Sequence, residues 1–219
     1  MTNKTNALSV FDFDGTLTKR DSFVPFLRFA FGRRIFARRM IRLVIPTLKC
    51  LGRRVTRDEL KGILIRTFLT GVEASWVEQK AHEFCEKYFT RMMRPSGLIA
   101  VATQVTSGAI VTICSASPSI VLKPFADRLG IRLISTNLEV KDGVLTGNID
   151  GENCRCAQKV VRLTAEYGPL DNYYLRAWGD TRGDYEMLAI AQEPHWRHFH
   201  SGWEKRNPPT AKIKSTLIP

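Results

Sequence analysis

The chain has 219 residues, 44% of them hydrophobic and 25% charged, with a net charge of +12. That length allows one large domain or a main domain with a sizeable insertion, and the composition is that of a globular protein, which excludes a disordered or fibrous chain. No apolar run reaches the roughly 18 residues a bilayer span needs; the longest, Ile41 to Leu51, is broken by Arg42, Pro46 and Lys49.

The N-terminus, Met1 to Ala7, is short and polar, with no apolar leader core ahead of the first strand. That strand is Leu8–Phe11, a buried apolar run entering a tight turn at Asp12-Phe13-Asp14-Gly15-Thr16. On a regular strand Asp12 and Asp14 point to one face. Two carboxylates crowded at a strand tip repel each other, and a divalent cation relieves that repulsion. In an open α/β sheet the crevice beyond the carboxyl ends of the strands is where ligands bind.

From Ser22 to Arg94 little alternates with period two. Four helices are predicted, over Phe23–Phe31, Arg33–Leu51, Arg57–Leu69 and Glu73–Phe89, with breaks at Gly32, Gly52 and Gly71. This segment interrupts the strand–helix alternation and reads as a helical cap inserted between the first and second core strands. Between Ser22 and Arg57 there is no Asp or Glu, while Arg28, Arg33, Arg34, Arg38, Arg39, Arg42, Lys49, Arg53, Arg54 and Arg57 supply ten positive charges, leaving +2 for the rest. Such a local field implies an anionic partner. As a helix, Arg34 to Lys49 places Arg34, Arg38, Arg39, Arg42 and Lys49 on one face, with Phe36, Met40, Leu43 and Leu48 on the other. Two readings stand: a basic amphipathic helix on an anionic membrane, or a cap helix with its basic face in solvent. A nucleic-acid partner is not expected, because no aromatic stacking pattern or recognition fold accompanies the charge.

Further strands are predicted at Ala109–Cys114, Ile131–Thr136 and Leu175–Gly179, with a last edge strand at Arg197–His200. Helices fall at Gly97–Thr106, Ser119–Leu129, Cys156–Tyr167 and Gly183–Ala191. This alternation argues for an α/β fold, a parallel sheet with helices on both faces in three α/β/α layers. Leu138 to Gly147, with Asp142-Gly143 at its turn, reads as a small β-hairpin inserted after the third strand. The core is assigned to residues 1–21 and 95–205, the cap to 22–94, and a polar tail to 206–219. Cys50, Cys85, Cys114, Cys154 and Cys156 are odd in number and scattered, without zinc-ligand spacing. A reducing, cytoplasmic setting without a structural metal is expected.

Each later polar feature falls at a predicted strand tip or helix start. Ser115 and Ser117 follow the second strand, Lys159 lies in the first turns of the helix after Cys154, and Asp180 and Asp184 flank a strand-to-helix turn. This order suits phosphoryl transfer through an aspartyl-phosphate. An Asp carboxylate is an effective nucleophile toward phosphorus, and a second acid two residues on can protonate the leaving oxygen and then take a proton from water. Asp12 and Asp180, with the Asp14 carbonyl, suit Mg²⁺. A hydroxyl and an ammonium neutralise the phosphoryl oxygens. Taken alone, Ser115 reads more readily as a helix N-cap and Ser117 equally as one, Lys159 as an ordinary surface lysine, Asp184 as a cap of the following helix, and Asp21 as the cap of the first inserted helix. His195, His198 and His200 read as surface or edge-strand residues without a carboxylate partner.

On these motifs, the chain resembles the haloacid dehalogenase-like hydrolases, subfamily IB, the group of phosphoserine phosphatase. Asp12 to Thr16 match the first motif, Ser115 the second, Lys159 the third, and Gly179-Asp180 with Asp184 the fourth. The resemblance implies a Rossmann-like core, a helical cap, Mg²⁺ dependence and phosphomonoester hydrolysis. It makes Asp12 the nucleophile, Asp14 the acid/base, and Ser115 and Lys159 phosphate binders, with Ser117, Gly15, Thr16 and Asp21 about the substrate. Asp12, Asp14 and Asp180 hold the metal, and Asp184 partners the metal or Lys159. Gly183 stands where phosphoserine phosphatases carry Asn, and Asp21 where they carry Glu. Asp21-Ser22-Phe23, the basic cap and Asn153-Cys154 look more like the phosphatidylglycerophosphatase C branch. The first expectation is therefore a lipid phosphate such as phosphatidylglycerol phosphate, with the enzyme peripheral on the inner membrane face. The alternatives are a soluble ester such as phosphoserine or histidinol phosphate, and a non-catalytic membrane- or nucleic-acid-binding protein on the same fold.

Overall fold

In the computed structural model residues 6–41, 43 and 57–200 are described. The predicted helix over Arg33–Leu51 is seen as far as Ile41, and the break at Gly52 and the tail at 206–219 lie outside the described residues.

β1 (Asn6–Phe11) is the pivot of the sheet. It pairs in parallel with β2 (Ile110–Pro118) on one side and with β5 (Tyr173–Gly179) on the other. β3 (Arg132–Lys141), β4 (Val144–Asp150) and β6 (Glu193–Trp196) complete a six-stranded sheet in the order β4-β3-β2-β1-β5-β6, antiparallel only between β3 and β4. The alternation of β1 explains the layers. Leu8 and Val10 enter a core with Leu163, Leu175 and Met187, while Phe11 joins Ile113, Phe125 and Trp178 on the opposite face. A strand buried on both faces reads as a continuous apolar run, as this one does. The order turns back on itself at β1, which puts the switch-point crevice beside the tips of β1 and β5.

The inserted helices are α1 (Phe23–Ile41), α2 (Arg57–Leu69) and α3 (Ala74–Met92). Gly32, at φ 72 and ψ 163, divides α1 where a break was predicted. α4 (Pro95–Thr106) and α5 (Ser119–Leu129) cover the Phe11 face; α6 (Ala157–Tyr167) and α7 (Tyr185–Ala189) cover the other.

Four details differ from the sequence reading. β2 runs on through Ser115 and Ser117, a register shift between Ser115 and Pro118 letting it bend toward the crevice. The hairpin is no separate insert, because β3 continues unbroken from its parallel half into it. Its turn residues Asp142 and Gly143 do take φ 52 and 80. The far side of β4 is tied to the α2–α3 loop: Gly71 N–H donates to the Leu145 carbonyl and Leu145 N–H to Val72, each at 2.9 Å. The last strand is Glu193–Trp196, and Arg197, at φ 46, begins a turn where the edge strand was expected. The helix predicted over Gly183–Ala191 shortens to Tyr185–Ala189, because the Asp184 carboxylate binds the preceding backbone and shapes a turn there.

Candidate active site

Asp12 leaves β1 held by the sheet, its N–H donating to the Trp178 carbonyl at 2.9 Å. Phe11 and Trp178 stack with centroids 4.1 Å apart, which fixes the two strand tips side by side. Lys159 rises from the first turn of α6, 1% exposed, and its ammonium donates to Asp12 Oδ1 at 2.7 Å and to Asp184 Oδ1 at 2.6 Å. The other Asp184 oxygen accepts from Asp180 N–H at 3.2 Å, Thr181 N–H at 2.9 Å and the Thr181 hydroxyl at 3.0 Å. Both Asp184 oxygens are thereby engaged. Gly179 leaves room for this, since a Cβ there would lie 2.5 Å from the Asp184 Cβ.

Asp180 approaches from the β5 tip. Its Oδ1 accepts from the Thr16 hydroxyl at 3.1 Å. Gly15 is required beneath it: at φ 84, any side chain would put its Cβ 2.4 Å from Asp180 Oδ2. Carboxylate oxygens of Asp12, Asp180 and Asp184 all lie within 4.8 Å of one another. Burial first, and then repulsion from the neighbouring acids, push the Asp12 and Asp180 carboxyls above the usual range. Burial opposes the charge on Lys159, but Asp12 and Asp184 outweigh it and hold the ammonium protonated.

Asp14 faces another way, and its carboxylate is outside that cluster. Oδ1 accepts from Ser22 N–H at 2.7 Å, and Oδ2 from the Ser117 hydroxyl. Burial, reinforced by Asp21, raises Asp14 to about 6 against the hydrogen bonds of Ser117 and Ser22. Ser115 is buried, and its oxygen accepts from Ser117 N–H at 3.2 Å. Asp21 caps α1 through Val24 N–H at 2.9 Å and also lines the crevice. The cleft is about 320 Å³, and Asp12, Asp14, Asp21, Ser115 and Ser117 share its lining with Lys61, Asn153 and Arg155. Thr16 is turned away from it toward Asp180, and Gly15 does not line it.

Two contributors escaped the sequence reading. The His200 Nε2 lies 2.9 Å from the Gly15 carbonyl, which can only accept, and 3.8 Å from Asp180 Oδ2. His200 therefore does have a carboxylate neighbour, contrary to expectation, as does His195, 3.9 Å from Glu193. Arg197 Nε donates to the Asp180 carbonyl at 3.1 Å. The basic face of α1 also needs correction at Arg39, which donates to the Phe68 carbonyl at 2.8 Å and lies 4.6 Å above the Phe31 ring. Arg39 binds α1 to α2 instead of facing outward.

Acids from two strand tips around a buried lysine, on a mostly parallel sheet with helices inserted after β1, define a Rossmann-like α/β protein with an acidic cleft at its switch point. The chain belongs to the haloacid dehalogenase-like hydrolases, whose family model matches residues 9–189. It is 40% identical over 194 residues to Protein CicA of Caulobacter vibrioides, covering 88% of this chain and 86% of that one. Among solved structures, a protein of unknown function from Bordetella pertussis matches with TM-score 0.73 and 22% identity, over 84% of this chain and 86% of that one. A phosphoserine phosphatase with a phospho-aspartyl intermediate analogue matches with TM-score 0.57 and 20% identity, over 85% of this chain and 83% of that one. The chain is thus an enzyme of the hydrolase class with the fold of the phosphoserine phosphatases.

Proposed function

We propose that the protein is a Mg²⁺-dependent phosphatase that hydrolyses a phosphomonoester through an aspartyl-phosphate on Asp12. The observation that carries this reading is the Asp12–Lys159–Asp184 chain of buried ion pairs with Asp180 beside it. Lys159 fixes Asp12 Oδ1 and so orients the carboxylate toward the cleft, as an attacking carboxylate requires. Asp14, raised to about 6 by burial, has a proton affinity suited to protonating a leaving oxygen and then deprotonating water. Ser115 and Lys159 offer donors to the phosphoryl oxygens, and Ser117 orients Asp14.

The residues present suit a hard divalent cation: an all-oxygen set of three buried carboxylates faces only one ammonium, an excess of negative charge that a dication offsets. Asp12 and Asp180 would hold Mg²⁺ with the Asp14 carbonyl, while Asp184 stays engaged with Lys159. When bound, the ion supplies charge neutralisation at the phosphoryl oxygens.

A cleft of about 320 Å³ takes a headgroup-sized phosphomonoester. The first candidate is one borne by an anionic lipid, such as phosphatidylglycerol phosphate. Supporting it, the outer face of α1 exposes Ile35 at 49% and Ile41 at 72% beside Arg34 and Arg38, a pairing suited to a peripheral membrane contact. The small cleft also favours a second reading, a soluble ester such as phosphoserine or histidinol phosphate.

The test is phosphate release from an aryl phosphate with Mg²⁺. Asp12→Asn is expected to lower kcat by at least about a thousandfold, since it removes the covalent route, and chelation by EDTA to abolish turnover until Mg²⁺ is restored. Equal rates for Asp12→Asn and the parent would overturn the nucleophile. Turnover of dispersed lipid phosphate against the soluble esters then separates the substrate classes.

A further inference from the structure

We propose that the groove between α1 and the C-terminal end of α3 is a second binding site, for a single-chain amphiphilic anion: a phosphate-type headgroup carrying an alkyl or acyl chain. The groove is about 1030 Å³, roughly three times the cleft. It is separate from the reacting groups. Asp12, Ser115, Ser117 and Lys159 do not line it, and it meets the cleft at Asp21 and Val24 alone.

The floor is aromatic. Phe29 of α1 stands edge-on to Tyr88 of α3, with centroids 5.8 Å apart, and leans on Phe84 at 5.6 Å. The kink at Gly32 returns Phe36 to the same groove. The rim is cationic. Arg20, Arg28, Arg33 and Arg91 are exposed along it, and none forms an ion pair among the described residues. The acid on the rim, Asp21, has a carboxylate oxygen taken up by Val24 N–H.

The pairing of rim and floor selects the ligand. A small polar anion would satisfy the arginines and leave the aromatic floor wet. A neutral lipid would cover the floor but forgo the charge-assisted contacts that the rim guanidinium groups offer to an anion. An anionic headgroup with one chain satisfies both. This site goes beyond the phosphatase reading, because it stands whether the reacting phosphate is borne by a lipid or by a metabolite.

The experiment is calorimetric titration of the full chain with decylphosphonate below its micelle concentration, in saturating inorganic phosphate and Mg²⁺ to fill the cleft. One molecule is expected to bind. Affinity should fall at least about tenfold in Arg28→Ala/Arg91→Ala and in Arg33→Glu, each of which removes a charge-assisted contact, and stay unchanged in Asp12→Asn. Methylphosphonate, which lacks the chain, and decyl maltoside, which lacks the charge, should bind at least about tenfold more weakly. Binding that appears only when the inorganic phosphate is left out, undiminished binding in the arginine variants, or equal affinity for either control ligand would overturn the proposal. The altered side chains are exposed, and unchanged urea midpoints verify the fold. Aryl phosphate hydrolysis by the same preparation reports separately on the phosphatase reading.

Discussion

Lys159 is the residue on which the buried charges depend. Its ammonium is 1% exposed and serves Asp12 and Asp184 together, with Asp180 close by. Lys159→Met keeps the volume and removes the charge, leaving buried carboxylates without a counterion. Breaking a buried pair in this way costs about 3–5 kcal/mol, which urea unfolding would read. Adding Asp184→Asn should recover part of that loss, and a double-mutant cycle with strict additivity would show that the two groups do not act as a pair. Thr16 has a subtler role, donating to Asp180 Oδ1 at 3.1 Å. A hydrogen bond to a charged group is worth about 1.5–3 kcal/mol, and at the proposed Mg²⁺ site part of that would be expressed in metal affinity. Thr16→Val should raise the Mg²⁺ concentration for half-maximal turnover several-fold, while Thr16→Ser, which keeps the hydroxyl, should stay near the parent. A Val variant matching the parent would remove Thr16 from the metal's support. The strand-to-turn placement of Asp12, Asp14 and Gly15 was legible because they form one local motif. His200 was not: its partner Gly15 lies 185 positions away, and no local pattern marks such a contact.

Between elements, aromatic packing links the inserted helices to the turn that carries Asp12 and Asp14. Phe13, between the two first-motif acids, meets Phe125 of α5 edge-on at 5.3 Å. Phe125 in turn touches Phe84 at 6.2 Å and Phe89 at 6.0 Å on α3, and Phe84 reaches Phe26 of α1 at 5.7 Å. Phe125→Ala should therefore cost about 3–5 kcal/mol and lower kcat, because the turn carrying Asp12 and Asp14 loses its backing. Phe29→Ala, in a half-buried position, should cost less on unfolding and leave that turn supported. Equal kcat losses in the two variants would break the proposed link. The elements that sequence reading placed best are those with local punctuation. α5 matches its expected bounds, Ser119–Leu129, because Pro118 precedes it and Gly130 takes the left-handed conformation that ends it, at φ 65. The Asp142-Gly143 turn was readable for the same reason. The edge strand was displaced by a few residues because β6 is set by its register, Trp178 opposite His195, and that register depends on β5 and not on its own pattern. Arg39 was assigned to a basic face because helical periodicity does not reveal which neighbour covers a given side chain.

Over the whole molecule the charge is lopsided: in sequence, ten of the net twelve positive charges lie between Ser22 and Arg57, and five of them, Arg28, Arg33, Arg34, Arg38 and Arg39, stand on α1, whose first turn borders the cleft. A field of one sign beside an active-site opening raises the encounter rate of an anionic substrate, and salt screens it. The Debye length contracts from about 30 Å at 0.01 M to about 10 Å at 0.1 M ionic strength. At low salt the arginines of α1 therefore act on a dianion approaching the cleft, and at high salt they do not. For a dianionic aryl phosphate, kcat/KM should fall several-fold between these conditions, provided Mg²⁺ is held saturating, while kcat changes little, since Asp12 and Lys159 are buried and weakly screened. Arg34→Glu/Arg38→Glu changes exposed α1 residues outside both the cleft and the groove. It should lower kcat/KM at 0.01 M and converge on the parent at high salt. Parallel salt profiles for parent and variant would show that the basic segment does not steer the substrate, and its charge would then serve a surface and not the reaction.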